Sequence, residues 1–120
     1  MGSRFLIIVI AAVLLSSFQF CTARMEKGCE IFVDSVWRSK KYDFVFQEKF
    51  ETNADRHYHF IGTKKNGDMD TISEWAFDKL YKDVLVGDTI RKDSGRAYIT
   101  LYRGRDTIEY FLYCHGQKMY

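Results

Sequence analysis

Proline is absent from all 120 residues. Turns and strand ends must therefore be built from Gly, Asn, Asp and Ser, whose missing Cβ or short polar side chain supplies the local geometry. A surplus of one charge is lacking too: 18 Lys and Arg face 16 Asp and Glu, a net charge of +2. Arg4 is the only charged residue among the first 23, so the rest of the chain is still closer to neutral. That balance argues against a basic nucleic-acid-binding face, and no nucleic-acid partner is expected. The one basic concentration, Arg91, Lys92, Arg96, Arg103 and Arg105, is interleaved with turn residues and reads as solvated hairpin ends. No Gly-x-Ser-x-Gly elbow, phosphate loop or convincing Cys–His nucleophile pair occurs. The acidic run Asp68, Asp70, Glu74 lacks the ligand spacing of a calcium loop. The chain offers no catalytic residues and no cofactor motif.

Long apolar runs are equally scarce. The single one, Phe5 to Leu15, follows Arg4 and trails through Ser16 and Ser17 into Phe18, Gln19, Phe20 and Cys21. It falls short of the ~20 apolar residues a membrane helix needs. A basic start, an apolar stretch and small residues near its end form an export signal, expected as an N-terminal signal helix. Two readings of its end stand. Cleavage after Ala23 places Cys21 and Ala23 at the −3 and −1 positions. Alternatively Cys21 is the lipidated cysteine of a bacterial lipoprotein, although Phe20 occupies a position that normally holds a small residue. The expected organisation is residues 1–23 as signal and 24–120 as one small domain, exported to the periplasm or outer membrane and either held at the membrane, by a lipid anchor or by the signal helix left uncleaved, or free.

Cysteine is sparse, with three in all. Cys21 is lipidated or discarded, which leaves Cys29 and Cys114. Export places these in an oxidising space where a disulfide persists. Closing a loop of that length is worth ~4–5 kcal/mol in the chain-entropy model. The alternative is two separate buried thiols.

Aromatic residues, by contrast, are abundant at 17%. Together with β-branched residues they favour half-buried strands. Residues 42–50, 57–63 and 69–75 alternate as strands, with Asn66-Gly67 predicting a type I′ hairpin turn. Residues 76–81 have helical spacing, 84–90 read as a strand bent at Gly87-Asp88, and 97–103 and 107–114 as a hairpin joined by Gly104-Arg105. Glu30 to Trp37 is strand or short helix with Ile31, Val36 and Trp37 turned inward. The expectation is all-β: five or six antiparallel strands in hairpin order, closed into a small barrel or strongly curved, with one short helical turn. Its core draws on Phe44, Phe46, Tyr58, Phe60, Ile72, Trp75, Leu80, Val84, Val86, Ile90, Ile99, Leu101, Ile108, Tyr110 and Leu112.

Val86-Gly87-Asp88-Thr89-Ile90-Arg91-Lys92, then Gly95, then Tyr98 to Arg103, resembles a pattern in small exported or lipid-anchored β-rich bacterial proteins of the Bacteroidetes type: V-G-D-[ST]-I-x-K, a glycine turn, and a strand ending in a basic residue. The resemblance implies a small β fold and brings no activity with it.

Two groups of side chains remain as site candidates. His57 and His59, two apart on a strand, share a face and with His115 offer three imidazoles for a metal, provided the C-terminus folds beside them. Tyr98, Tyr102, Phe111 and Tyr113 fall opposite the expected core and suit a protein or glycan ligand if they cluster. The first group suggests a secreted metal-binding protein or enzyme. The second suggests a non-enzymatic binding or structural module of the cell envelope, the reading the composition favours.

Overall fold

The computed structural model describes residues 28–53 and 57–120. The apolar run and Cys21 lie outside the described residues. Residues 28–37 form helix α1, whose last stretch, Val33–Trp37, is a π-helical turn closed by Arg38 N–H donating to Val33 O at 2.9 Å. Strands β1 (Tyr42–Thr52), β2 (His57–Thr63) and β3 (Met69–Glu74) follow, then helix α2 (Asp78–Asp83). Strands β4 (Thr89–Lys92), β5 (Ile99–Arg103), β6 (Asp106–Tyr110), β7 (Leu112–Cys114) and β8 (Gln117–Met119) complete the domain.

Six strands make one antiparallel sheet in the order β3-β2-β1-β4-β5-β6, and β7 and β8 make a separate hairpin. The long β1 joins two meanders. Its first residues, Tyr42 to Val45, pair with β4, and Val45 to Thr52 pair with β2 on the other side, with a bulge between Phe46 and Glu48. The hairpin order expected from short connections is broken once, where α2 carries the chain from β3 past β2 and β1 to β4. The sheet is not a barrel: β3 and β6 remain as separate edges, because the chain leaves β6 to form the β7–β8 hairpin.

One face of the sheet is the core. Phe44, Phe46, Phe60, Ile72, Ile90, Ile99 and Leu101 point to it and pack with Val33 and Trp37 of α1, Phe77 and Leu80 at α2, and Leu112 and Cys114 of β7. The inward residues of α1 are Val33 and Trp37, not Ile31 and Val36. The reason is the Cys29–Cys114 disulfide, with Cα atoms 5.8 Å apart. It turns Cys29 toward β7, and every fourth residue after it, Val33 and then Trp37, follows it in.

Three expected core residues are exposed. Trp75 fails on parity: Ile72 and Glu74 face inward, so Trp75 does not. Val86 stands in a turn rather than a strand and is 76% exposed. Ile108 lies opposite Leu101, on the core side, but its strand is the sheet edge. The opposite face carries every threonine of the described residues. One row crosses all the strands: Met69, Thr63, Val45, Thr89, Tyr102 and Thr107.

Two turns differ from expectation. Asn66 does not have positive φ; only Gly67 does, at 90°, so the Lys64–Asp68 turn is not type I′. Asn66 Oδ1 instead accepts the Asp68 N–H at 3.0 Å. Positive φ at two successive residues occurs at His115 (55°) and Gly116 (74°), which close the β7–β8 hairpin where the sequence suggested only the end of a strand.

Candidate functional site

The residues that carry the family-like pattern form a structural circuit. Gly87, with φ 96°, turns the chain so that its N–H donates to Phe46 O and Asp88 O accepts the Phe46 N–H. Asp88, 4% exposed, accepts from the Leu85 N–H at 2.8 Å and from Arg103 Nε at 2.9 Å and the second guanidinium nitrogen at 2.7 Å. Arg103 also donates to Asp83 O at 2.9 Å. The hydrogen bonds from Arg103 hold the Asp88 carboxyl below its ordinary range, against the opposing effect of burial. The basic residue at the end of β5 is thus the partner of the aspartate at the start of the pattern.

Lys92 ends the pattern and is 1% exposed. Its ammonium donates to Lys40 O at 2.6 Å and to Arg38 O and Asp93 O at 3.3 Å, and sits 5.0 Å from the centre of the Trp37 ring. Burial, with the Arg38 charge next in effect, pushes Lys92 down to about 8. It ties the carbonyls that follow α1 to β4, a cation at a helix C-terminus. Trp37 completes the joint by donating Nε1–H to Ala97 O at 2.7 Å. The basic concentration read from the sequence is therefore divided: Lys92 is buried, Arg103 is bound to Asp88, and Arg91 pairs with Asp93 at 3.2 Å.

The three imidazoles are not gathered. His59 stacks on Phe50 at 4.3 Å, and its ring nitrogens lie 2.8 Å from Ser73 Oγ and 3.1 Å from Thr52 Oγ1. The His57 ring is 6.4 Å away, whereas His115 is in the β7–β8 turn. Among the described residues no three His, Cys, Asp or Glu side chains are placed to hold a metal ion. The acidic run is dispersed as well: Asp68 accepts from Asn66, Asp70 faces Lys64 at 3.9 Å, and Glu74 is buried 3.6 Å from Lys40.

The aromatic candidates are brought together in part. Tyr98 and Phe111 lie 5.3 Å apart, and Phe111 meets Tyr120 edge-on at 5.6 Å. Arg96 and Lys118 stand over the Tyr98 and Phe111 rings at 5.4 and 4.4 Å. Tyr113 is half-exposed on β7, opposite Lys118. Tyr102 lies apart from them, in the threonine row of the outer face.

Phe111 and Tyr113 also line a cleft of about 530 Å³ that the sequence did not disclose. One wall is residues 76–80 and Asp83 around α2; the other is Ile108 to Phe111, with Tyr113 and Lys118. Phe77 and Leu80 lie buried beneath it, and Ile108 is left 41% exposed along its side. Tyr110 donates its hydroxyl to Asp83 Oδ2 at 3.0 Å across the cleft. Burial and the neighbouring Asp83 push the Tyr110 phenol up to about 12, so it stays a neutral donor at physiological pH. Five of the twelve lining residues are charged, Asp78, Lys79, Asp83, Glu109 and Lys118, and the exposed apolar surface is that of Ile108 and Tyr113. Comparison with protein-family models, curated proteins and solved structures finds no match to this chain.

Proposed function

We propose that this chain is a non-enzymatic binding module exported to the cell envelope, and that its ligand seats in the cleft between α2 and β6–β8. The observation that carries this reading is the unspent apolar surface there. Ile108 and Tyr113 stay half-exposed in its walls, although nearby Phe77, Leu80 and Leu112 are fully packed. Exposed apolar groups concentrated in a concave, charged-rimmed site mark a contact surface more often than scattered ones do. The Cys29–Cys114 disulfide supports the oxidising compartment that export implies. No described helix is long and apolar enough to cross a membrane. A lipid at Cys21 is the anchoring part of the proposal.

Titrating the oxidised protein with soluble peptides and neutral oligosaccharides while recording amide resonances tests the binding part. The expected perturbations cluster at residues 76–80, 108–113 and 118. Perturbations confined to the threonine face, or absent for every probe, contradict it. Cell fractionation of Cys21→Ala tests the anchor: release from the membrane fraction is expected, and unchanged partitioning rules the lipid out.

A further inference from the structure

The chain has two asparagines, Asn53 and Asn66, and the residue after each sets what its amide can do. Ala54 follows Asn53, and Gly67 follows Asn66. A side-chain amide is open to attack by the main-chain nitrogen of the next residue, and a Cβ on that residue crowds the approach. Gly67 carries none, and no atom lies within 4 Å of where one would stand. Residues 64–69 are all exposed, so water has access to the whole turn.

The turn also holds the reacting groups together. Asn66 Oδ1 accepts the Asp68 N–H at 3.0 Å, and Asn66 Nδ2 donates to Asp68 Oδ2 at 3.1 Å. Flipping the amide would set donor against donor and acceptor against acceptor. The first bond closes a ring around the Gly67 peptide and keeps Asn66 Cγ on the side of the Gly67 nitrogen. It also aims a donor at the oxygen that turns negative when that nitrogen adds to Cγ. One contact opposes the reaction. The Gly67 N–H donates to Lys64 O at 3.0 Å and must open before its proton leaves. The folded turn therefore reacts more slowly than the unfolded chain, but it is not blocked.

We propose that Asn66 is a self-modification site. A solvent base takes the Gly67 amide proton, and the nitrogen adds to Asn66 Cγ. The Cγ–Nδ2 bond breaks, and the departing nitrogen gains a proton from solvent and leaves as ammonia. Water then opens the cyclic imide. Opening at Cγ gives an aspartyl residue at position 66; opening at the main-chain carbonyl gives an isoaspartyl linkage. The sum is one water taken up and one ammonia released, with nothing oxidised or reduced. Either product adds a negative charge beside Asp68 and Asp70, where Lys64 is 3.9 Å from Asp70. The isoaspartyl form also adds a methylene to the main chain. That disturbs the 2.8 Å bond from the Lys64 N–H to Asp68 O that closes the β2–β3 hairpin. The site uses no residue of the cleft and does not depend on the ligand proposed there.

The test incubates the full disulfide-bonded protein in heavy-oxygen water and maps its peptides by mass spectrometry. The heavy oxygen separates conversion during incubation from conversion during digestion. Label at position 66 is expected at least about tenfold faster than at Asn53, and Gly67→Ala should slow it by a similar factor. Gly67 has φ 90°, which a side chain disfavours, so parent and variant are also compared in urea, where folding does not matter. Equal rates at Asn66 and Asn53 overturn the proposal. So does conversion of Asn66 in urea but not in the folded protein, or a Gly67→Ala chain that converts as fast as the parent.

Discussion

The circuit around Asp88 and the cleft beside β6 both contain titratable groups whose proton affinity the fold shifts, Asp88 and Lys92 in the first and Tyr110 in the second, yet they use them differently. In the circuit no buried side-chain polar atom is left unpaired. Asp88 accepts three hydrogen bonds, the Lys92 ammonium is spread over three carbonyls and an aromatic face, and the residues between them form the β4 strand. In the cleft, Tyr110 and Asp83 satisfy each other, but Ile108, Tyr113 and the β6 edge are left open. The first region is saturated and therefore structural. The second is unsaturated and therefore available. In this chain a perturbed carboxylate or lysine marks the frame, and the exposed apolar surplus marks the site proposed for the ligand.

Changes that break the frame sharpen the contrast most. Replacing both Cys29 and Cys114 by Ser should cost about 4–5 kcal/mol, the largest effect, because the bond closes most of the domain into one loop. Denaturant unfolding with and without reductant measures it. Gly62→Ala comes next. A Cβ there would meet Val45 O at 2.2 Å and Phe44 Cδ2 at 2.3 Å, beside the β1 bulge. Overpacking of this kind costs about 1–3 kcal/mol, and the backbone contact places this variant at the upper end; thermal unfolding reads it directly.

Asp88→Asn keeps the volume and removes the charge that Arg103 binds. A lowering of Tm by roughly 4–8 °C is expected, equivalent to about 1 kcal/mol for a domain of this size. The variant should also lose part of the wild-type response to acid. Because the folded carboxyl is lowered, its contribution is present above the ordinary value of 3.8 and disappears as pH falls through the lower folded value.

Lys92 gives a slope of the same sign in a higher window, but there it is the relief of a burial penalty and not the gain of an ion pair. Folded, it releases its proton near 8; unfolded, near its ordinary value of 10.5. Between those values the unfolded chain binds more protons, so Lys92 makes stability rise with pH in that window. Unfolding free energies measured across it should rise in the parent and flatten in Lys92→Met. Tyr110 limits the rise at its upper end: its phenol, held to about 12 in the fold, adds stability that is lost as pH climbs from its ordinary 10.0 toward 12.

Much of the frame was legible in the residues. Alternation located β2 in full and β1, β3 and β5 to within a few positions, and cysteine count with the expectation of export pointed to the disulfide. What was not legible depended on partners distant in sequence. Lys92 looked like a surface lysine until Trp37 and the carbonyls after α1 closed over it. Glu74 displaced Trp75 from the interior because parity fixed by Ile72 outranked hydrophobicity, and Lys40 offsets its charge. The barrel failed because no local signal says that α2 carries the chain across to β4 or that β7 pairs with the tail. Of the site, Phe111 and Tyr113 were singled out from their pattern. Ile108, Phe77 and the β6 edge became neighbours only through that crossover.

The most direct test is a paired measurement of stability and ligand response in Asp88→Asn and in the double variant Ile108→Ala, Tyr113→Ala, with the soluble peptides and neutral oligosaccharides as probes. Asp88→Asn should lower Tm while leaving affinity of the folded protein within about twofold, and the double variant should unfold within about 1 kcal/mol of the parent but lose binding by tenfold or more. A double variant that unfolds much more easily yet binds as the parent does, or an Asp88→Asn protein of parental stability that no longer binds, would contradict this separation of frame from site.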